Sequence, residues 1–366
     1  MSASVLRRPI FCICTQRLSD RRFIDLSSVY TIFHRYFCAL ICFCGVTVNL
    51  VHIVVLTRKQ MRCFAVNSIL SVMAICDVII MSLYFVYIIR FRVIENEDNT
   101  LGYTYGWLVF LLIHVVLSIA LHTIGLYLSV FMAYVRWIAL DRLDSDWIRT
   151  RPVGRIFFGI ATTIFALSIP TLLVHEIVPF KRFTFVNENY TMNLFDNITY
   201  YTVGLIPQAT DNSCRLFKAN LWLTGIFFKV IPCLLLFWFT VALMRKLNET
   251  SRKRIYLLGE KRKKMAMDKT TLMLIIMLFV FLCTELPQGA LAILNAMYTS
   301  DIHAYVYMNL GELLDLLSLI NCNVGFVLYC CMSSRYRSTF RHTFWLPAST
   351  AASAISANFR KFSFSL

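Results

Sequence analysis

Seven long apolar stretches run through this chain, at 36–57, 64–89, 107–135, 154–178, 221–244, 270–299 and 303–332. A helix needs roughly 20 apolar residues to cross a bilayer core of about 30 Å, so each stretch is long enough to span. Of the 366 residues, 58% are hydrophobic and only 15% are charged. That leaves too few polar groups to coat a soluble globule of this size. The mean hydropathy of +0.65 agrees. The expected fold class is an all-α membrane protein, a seven-transmembrane helix bundle. An odd number of spans puts the two termini on opposite sides.

The net charge of +16 would suit a nucleic-acid partner, but its distribution argues against one. The basic residues crowd alternate gaps between spans. Arg245, Lys246, Arg252, Lys253, Arg254, Lys261, Arg262, Lys263 and Lys264 lie between spans five and six. Arg58, Lys59 and Arg62 follow span one, Arg142, Arg149 and Arg151 follow span three, and Arg335, Arg337 and Arg341 follow span seven. Basic flanks mark the cytoplasmic face. The amino terminus is therefore expected outside and the carboxyl terminus inside, in a multi-pass plasma-membrane protein. Six arginines within the first 35 residues run against that rule, and no physical account of them emerges.

The opposite face carries a different marker. Asn189-Tyr190-Thr191 and Asn197-Ile198-Thr199 fit the N-glycosylation acceptor, and both fall in the long gap, 179–220, assigned outside. Of thirteen cysteines, only Cys12, Cys14 and Cys214 fall on the oxidising side. A disulfide from Cys214 stays open. The expected organisation is an extracellular, disordered segment 1–28, a seven-helix domain 29–344 and a Ser/Thr-rich cytoplasmic tail 345–366. After span seven, 334–344 is expected to form a short amphipathic helix on the inner surface. It places Tyr336, Phe340 and Phe344 on one face.

Charged groups inside spans are costly and mark function by default. This chain has Asp77, Lys229, Glu285, Glu312 and Asp315, with His122 as a polar companion. At about 1.5 Å per residue, His122, Lys229, Glu285 and Asp315 lie roughly 21–24 Å from the inner ends of their spans. Four polar groups on four helices thus share one depth in the outer half of the membrane, as a ligand cavity open to the outside would require. Two readings remain for Lys229, Glu285 and His122: a pocket, or simple mutual pairing. Glu312 and Asp315 are like-charged and one turn apart, and no basic residue in the neighbouring spans evidently neutralises both, which favours a cationic ligand group. Asp77 suits equally a hydrogen-bonded core carboxyl and an ion site. Pro170, Pro232 and Pro287 interrupt spans four, five and six and are expected to kink them. No nucleophile–base pair or metal-ligand cluster is visible, so no enzyme, cofactor or metal is expected. A transporter or channel is the remote alternative. The internal repeats and paired broken helices that it needs are not evident.

These residues resemble the rhodopsin-like G-protein-coupled receptors over about 30–344. The resemblance rests on Asn49 in Gly45-Val46-Thr47-Val48-Asn49, on Asn67 with Ala74-Ile75-Cys76-Asp77, and on Pro232 and Pro287. It is closer to the invertebrate FMRFamide and myosuppressin receptors, with the nematode Srw chemoreceptors. That narrower likeness rests on Phe228-Lys229-Val230-Ile231-Pro232-Cys233, Thr284-Glu285-Leu286-Pro287-Gln288-Gly289 and Leu310-Gly311-Glu312-Leu313-Leu314-Asp315. The chain departs from the broad pattern in several places. The Asp-Arg-Tyr triplet is Val135-Arg136-Trp137, and Cys-Trp-x-Pro is Thr284-Glu285-Leu286-Pro287. Asn-Pro-x-x-Tyr is Gly325-Phe326-Val327-Leu328-Tyr329, and the usual cysteine opening span three is absent from Val109–Leu112.

The resemblance implies a receptor for a peptide, with an amidated FMRFamide-like neuropeptide as the expected ligand. The implied ligand residues are Asp315, Glu312, Glu285, His122 and Lys229. Arg136, Tyr329, Pro287 and Asp77 are implied to carry activation to a heterotrimeric G protein. The membrane lipid and arrestin, at the Ser/Thr-rich tail, complete the expected partners. An Srw-type chemosensory receptor for an environmental peptide or small molecule is the alternative. The topology has a direct test. Glycosidase should shift the gel mobility of the expressed chain, and Asn189→Gln with Asn197→Gln should abolish the shift. A shift that persists without both asparagines would contradict the assignment.

Overall fold

The computed structural model describes residues 21–94, 103–139, 151–180, 183–186, 191–194, 200–258, 269–297 and 308–344. Helix α1 is Arg21–Leu56 and α2 is Ala65–Ile88, which continues through a π-helical turn, Ile89–Ile94. Helix α3 is Tyr105–Ala139 and α4 is Arg151–Val174. Helix α5 runs Pro207–Thr224, passes through a π-helical stretch, Gly225–Val230, and goes on as Ile231–Leu258. Helix α6 is Lys269–Met297, α7 is Met308–Met332, and α8 covers 334–344. Six of these helices are long and apolar enough to cross a membrane. The seventh, α6, carries a shorter apolar run, Leu278–Leu294, with Glu285 inside it.

Two elements depart from the sequence reading. Helix α1 begins at Arg21, within the segment expected to be disordered. Residues 1–20 and 345–366 lie outside the described residues. The 179–220 gap is not a loop: strands β1 (His175–Phe180) and β4 (Tyr200–Leu205) pair antiparallel, as do β2 (Phe183–Val186) and β3 (Thr191–Leu194). Helix α5 then starts at Pro207, well before residue 221. The strands are rich in aromatic and β-branched residues, which fit a pleated surface. Their short apolar runs are too brief to read as spans. Pro207 opens α5 at its first turn, where a missing N–H costs nothing.

Asn49 ties α1 to α7. Its Nδ2 donates to the carbonyls of Gly45 at 3.0 Å and Cys322 at 3.1 Å. Gly45 is needed at this crossing, because a Cβ there would collide with Met81 and press on Asn323. Around this junction Cys38, Cys42, Met81, Ile88 and Leu319 form a small buried cluster. A larger cluster, including Ile69, Ile124, Leu128, Leu236 and Leu278, fills the bundle toward the α8 end.

At the hairpin end the usual cysteine link to α3 is missing, and a backbone bridge stands in its place. Tyr201 on β4 donates its N–H to the Tyr103 carbonyl at 3.0 Å, and its ring meets Tyr105 edge-on at 5.5 Å. The Cys214 side chain, Cys12 and Cys14 lie outside the described residues, as do Asn189 and Asn197.

The amphipathic face of α8 also differs from expectation. Tyr336 is fully buried against protein rather than lipid. Its hydroxyl lies 2.9 Å from Nδ1 of His52 on α1, and its ring packs on Tyr329 of α7 at 5.7 Å. Burial pushes the Tyr336 phenol well above its ordinary pKa. Phe344, at the free end of the helix, remains exposed.

Candidate functional site

Glu285 has no exposed side-chain surface. A charged group so placed must be paired and hydrogen-bonded, and the chain supplies partners from two other helices. Its Oε1 lies 2.5 Å from Nε2 of His122 on α3. Its Oε2 accepts from Nζ of Lys229 on α5 at 2.8 Å. Lys229 also donates to Oε1 of Gln288 at 2.8 Å, and Gln288 donates to the Ser318 hydroxyl on α7 at 2.7 Å. One polar network therefore joins α3, α5, α6 and α7. Of the sequence-predicted residues, His122, Lys229 and Glu285 come into direct contact. Gln288 and Ser318 complete the network. Both lie at helical spacing from residues already singled out, Gln288 from Glu285 and Ser318 from Asp315.

The position of Lys229 follows from Pro232. A proline donates no N–H and its ring crowds the preceding turn. The helix answers with the π-helical stretch just before it, Gly225–Val230, in which Lys229 sits. The Tyr127 hydroxyl caps the Phe227 carbonyl of this stretch at 2.7 Å. Such single-turn π segments recur at functional sites.

The second acidic cluster lies beside α1 and α2. Glu312 is held by Arg92, whose guanidinium is 3.3 Å away, and His34 faces it at 4.0 Å. One of the two α7 acids thus has a cation, which comes from beyond the apolar stretch rather than from within an expected span. Arg92 falls just past the second apolar stretch and rides on the π-helical turn at the end of α2. Its reach back to α7 follows from that turn.

Asp315 is different. It accepts a hydrogen bond from the Tyr84 hydroxyl at 3.0 Å, and no cation lies within ion-pair distance among the described residues. It is exposed, and the exposure faces inward. Leu313, Ile320 and Val327 mark the lipid-side stripe of α7, and Asp315 is two residues past Leu313, on the opposite side of the helix. Gln288, bonded to Lys229, reaches the Leu314 carbonyl and the Ser318 hydroxyl on either side of Asp315 along α7, so Lys229 and Asp315 lie close to one another. A wall of aromatic rings adjoins Asp315: Tyr84, Tyr87 and His114 lie 5.1–5.8 Å apart between centroids. Tyr84 and His114 are buried polar groups in spans, a signal that the sequence reading passed over.

Deeper in the bundle, Asp77 borders a small cavity shared with His122, Asn321 and Cys322. It has room for about one water molecule. Asp77 interacts with the Cys322 side chain. Toward the α8 end, Arg136 closes α3 half-buried, and Tyr329 is buried with its ring 5.5 Å from His52. Pro287 lies within α6 next to the Glu285 network.

The Glu285 network has a measurable consequence. Lys229→Met leaves a buried carboxylate without its ammonium and should destabilise the detergent-solubilised protein by about 3–5 kcal/mol. Lys229→Met with Glu285→Leu removes both charges and should recover much of that loss in thermal unfolding. A double variant as unstable as the sum of the two singles would show that the pair is not coupled.

The chain was compared with known proteins. The model of the serpentine-type seven-transmembrane G-protein-coupled chemoreceptor family Srw matches residues 36–347. The chain is 30% identical to the G-protein coupled receptor dmsr-1 of Caenorhabditis elegans, over 89% of its own length and 70% of that protein. It is 24% identical to the Sex peptide receptor of Drosophila melanogaster, over 81% of this chain and 68% of the relative. Similarity to Sex peptide receptor-related protein 2 of C. elegans is 23%, over 66% and 57%. With seven helices in this order, a polar network at mid-bundle and a family match across nearly all of them, the chain belongs to the Srw family of rhodopsin-like seven-transmembrane G-protein-coupled receptors.

Proposed function

We propose that this receptor responds to an amidated peptide ending in Arg-Phe, that its hairpin end faces outward at the plasma membrane, and that it signals to a heterotrimeric G protein. The observation that carries the ligand reading is the charge balance of the cavity. Lys229 answers Glu285 and Arg92 answers Glu312, which leaves Asp315, of the two α7 acids, with no ion-pair partner among the described residues. A guanidinium binds a carboxylate in two parallel hydrogen bonds, so Asp315 suits the arginine of such a peptide. The neighbouring Tyr84, Tyr87 and His114 rings suit an aromatic side chain. Glu312, which is already held by Arg92, serves the mouth of the cavity. The name of the Sex peptide receptor supports a peptide ligand, and the family description as chemoreceptors favours a second reading, an environmental peptide or small molecule at the same cavity. Expression in sensory neurons would favour the second reading, and expression in interneurons or muscle the first.

At the α8 end, Arg136 and Tyr329 are the residues assigned to coupling, and Pro287 to the swivel of α6. Asp77 lies between the two ends, beside His122. Residue 325 is glycine where an asparagine is usual, so Tyr329 is placed here by ring contacts with His52 and Tyr336.

Two experiments test the proposal. A charge-assisted hydrogen bond contributes about 1.5–3 kcal/mol. Asp315→Asn should therefore lower the potency of an Arg-Phe-amide peptide by one to two decades on that scale, and that of an analogue with citrulline for arginine far less. Additive losses in the receptor–peptide cycle would remove Asp315 from ligand recognition. Arg136→Ala should keep surface expression and peptide binding but abolish G-protein activation, and unchanged activation would refute its role.

A further inference from the structure

Lys229 stands between the buried acid and the open cavity. An ammonium has three N–H donors, and two are engaged, by Glu285 and Gln288. The side chain keeps 17% of its surface exposed, while Glu285 behind it keeps none. The cavity floor therefore offers one N–H donor whose charge is already balanced. The wall beside it carries Asp315, which the arginine of the peptide balances.

A floor of that kind discriminates between two peptide termini of nearly the same shape. A carboxamide is neutral, and its oxygen accepts the third N–H of Lys229 without disturbing the balance. A free carboxylate adds a negative charge that finds no cation left for it: Asp315 takes the arginine of the peptide, and Lys229 and Arg92 are already matched by Glu285 and Glu312. An unbalanced charge removed from water costs far more than a neutral polar group that finds a partner. The geometry points to a carboxamide subsite at Lys229, in which Glu285 acts as the specificity residue by cancelling the lysine charge. Gln288 holds Lys229 in place, and itself through Ser318 and the Leu314 carbonyl at 3.5 Å. This inference rests on the peptide reading above and adds to it the way in which a C-terminal amide is told from a free acid.

The test compares two synthetic peptides of one sequence ending in Arg-Phe, one amidated and one a free acid, on the full receptor in cells. The readout is the ratio of their potencies, with surface expression measured in parallel. The wild type should favour the amide by about tenfold or more. Glu285→Gln leaves the full charge of Lys229 facing the cavity, so the acid should gain and the ratio should fall by about tenfold. The double variant Lys229→Gln with Glu285→Gln removes both charges, keeps the floor neutral and should restore the preference for the amide. If Glu285→Gln does not reach the surface, Asp315→Asn reads the same quantity. With Asp315 neutral, the arginine of the peptide is left unmatched and favours the free acid, so the ratio should again fall, apart from the equal loss of arginine recognition in both peptides. A ratio that stays at the wild-type value in Glu285→Gln, or in its substitute Asp315→Asn, overturns the subsite and leaves the peptide reading standing. A wild-type receptor that ignores amidated Arg-Phe peptides altogether overturns both.

Discussion

A fully buried carboxylate at the centre of a membrane bundle constrains everything around it. Glu285 cannot remain charged there without partners, and those partners must come from other helices. His122 from α3 and Lys229 from α5 meet it, and Gln288 extends the link to α7. The helices are thus joined by directional bonds at one depth, where packing alone leaves their relative rotation loosely fixed. In the proposed function, a ligand that touches Lys229 or the Asp315 side of α7 touches the same network that holds α6, in which Pro287 lies beside Gln288.

Arg92 and Lys229 each ride on a π-helical segment, Ile89–Ile94 and Gly225–Val230. An extra residue in a turn re-aims every side chain after it by a large part of a rotation. In α5 the cause is legible, since Pro232 leaves its ladder one donor short. In α2 the turn follows Ile88 with no proline, and the sequence offers no account of it. The consequence for charge is large: that turn carries the Arg92 guanidinium to Glu312.

The apolar stretches, the alternating basic gaps and the placement of His122, Lys229 and Glu285 at one depth could all be read from the sequence. They depend on helical rise and on bilayer thickness, which are local and uniform. The hairpins of 175–205 could not be found that way, because short aromatic strands and a polar loop share a composition. Arg92 was missed because it lies beyond its apolar stretch, where a flanking arginine is ordinary. Tyr336 was placed on lipid by its helical face, but the buried His52 of a helix almost 300 residues away claims its hydroxyl. Such contacts are set by tertiary packing, and a single sequence carries no trace of them.

The central claim is that internal pairing of Glu285 and Glu312 leaves Asp315 to receive the ligand. A structure of the receptor bound to an Arg-Phe-amide peptide tests it most directly. The account predicts the arginine side chain on Asp315, with the Lys229–Glu285 and Arg92–Glu312 pairs intact. An arginine seated instead on Glu312 with Arg92 displaced, or one lying outside the bundle with Asp315 bonded only to Tyr84, would contradict it.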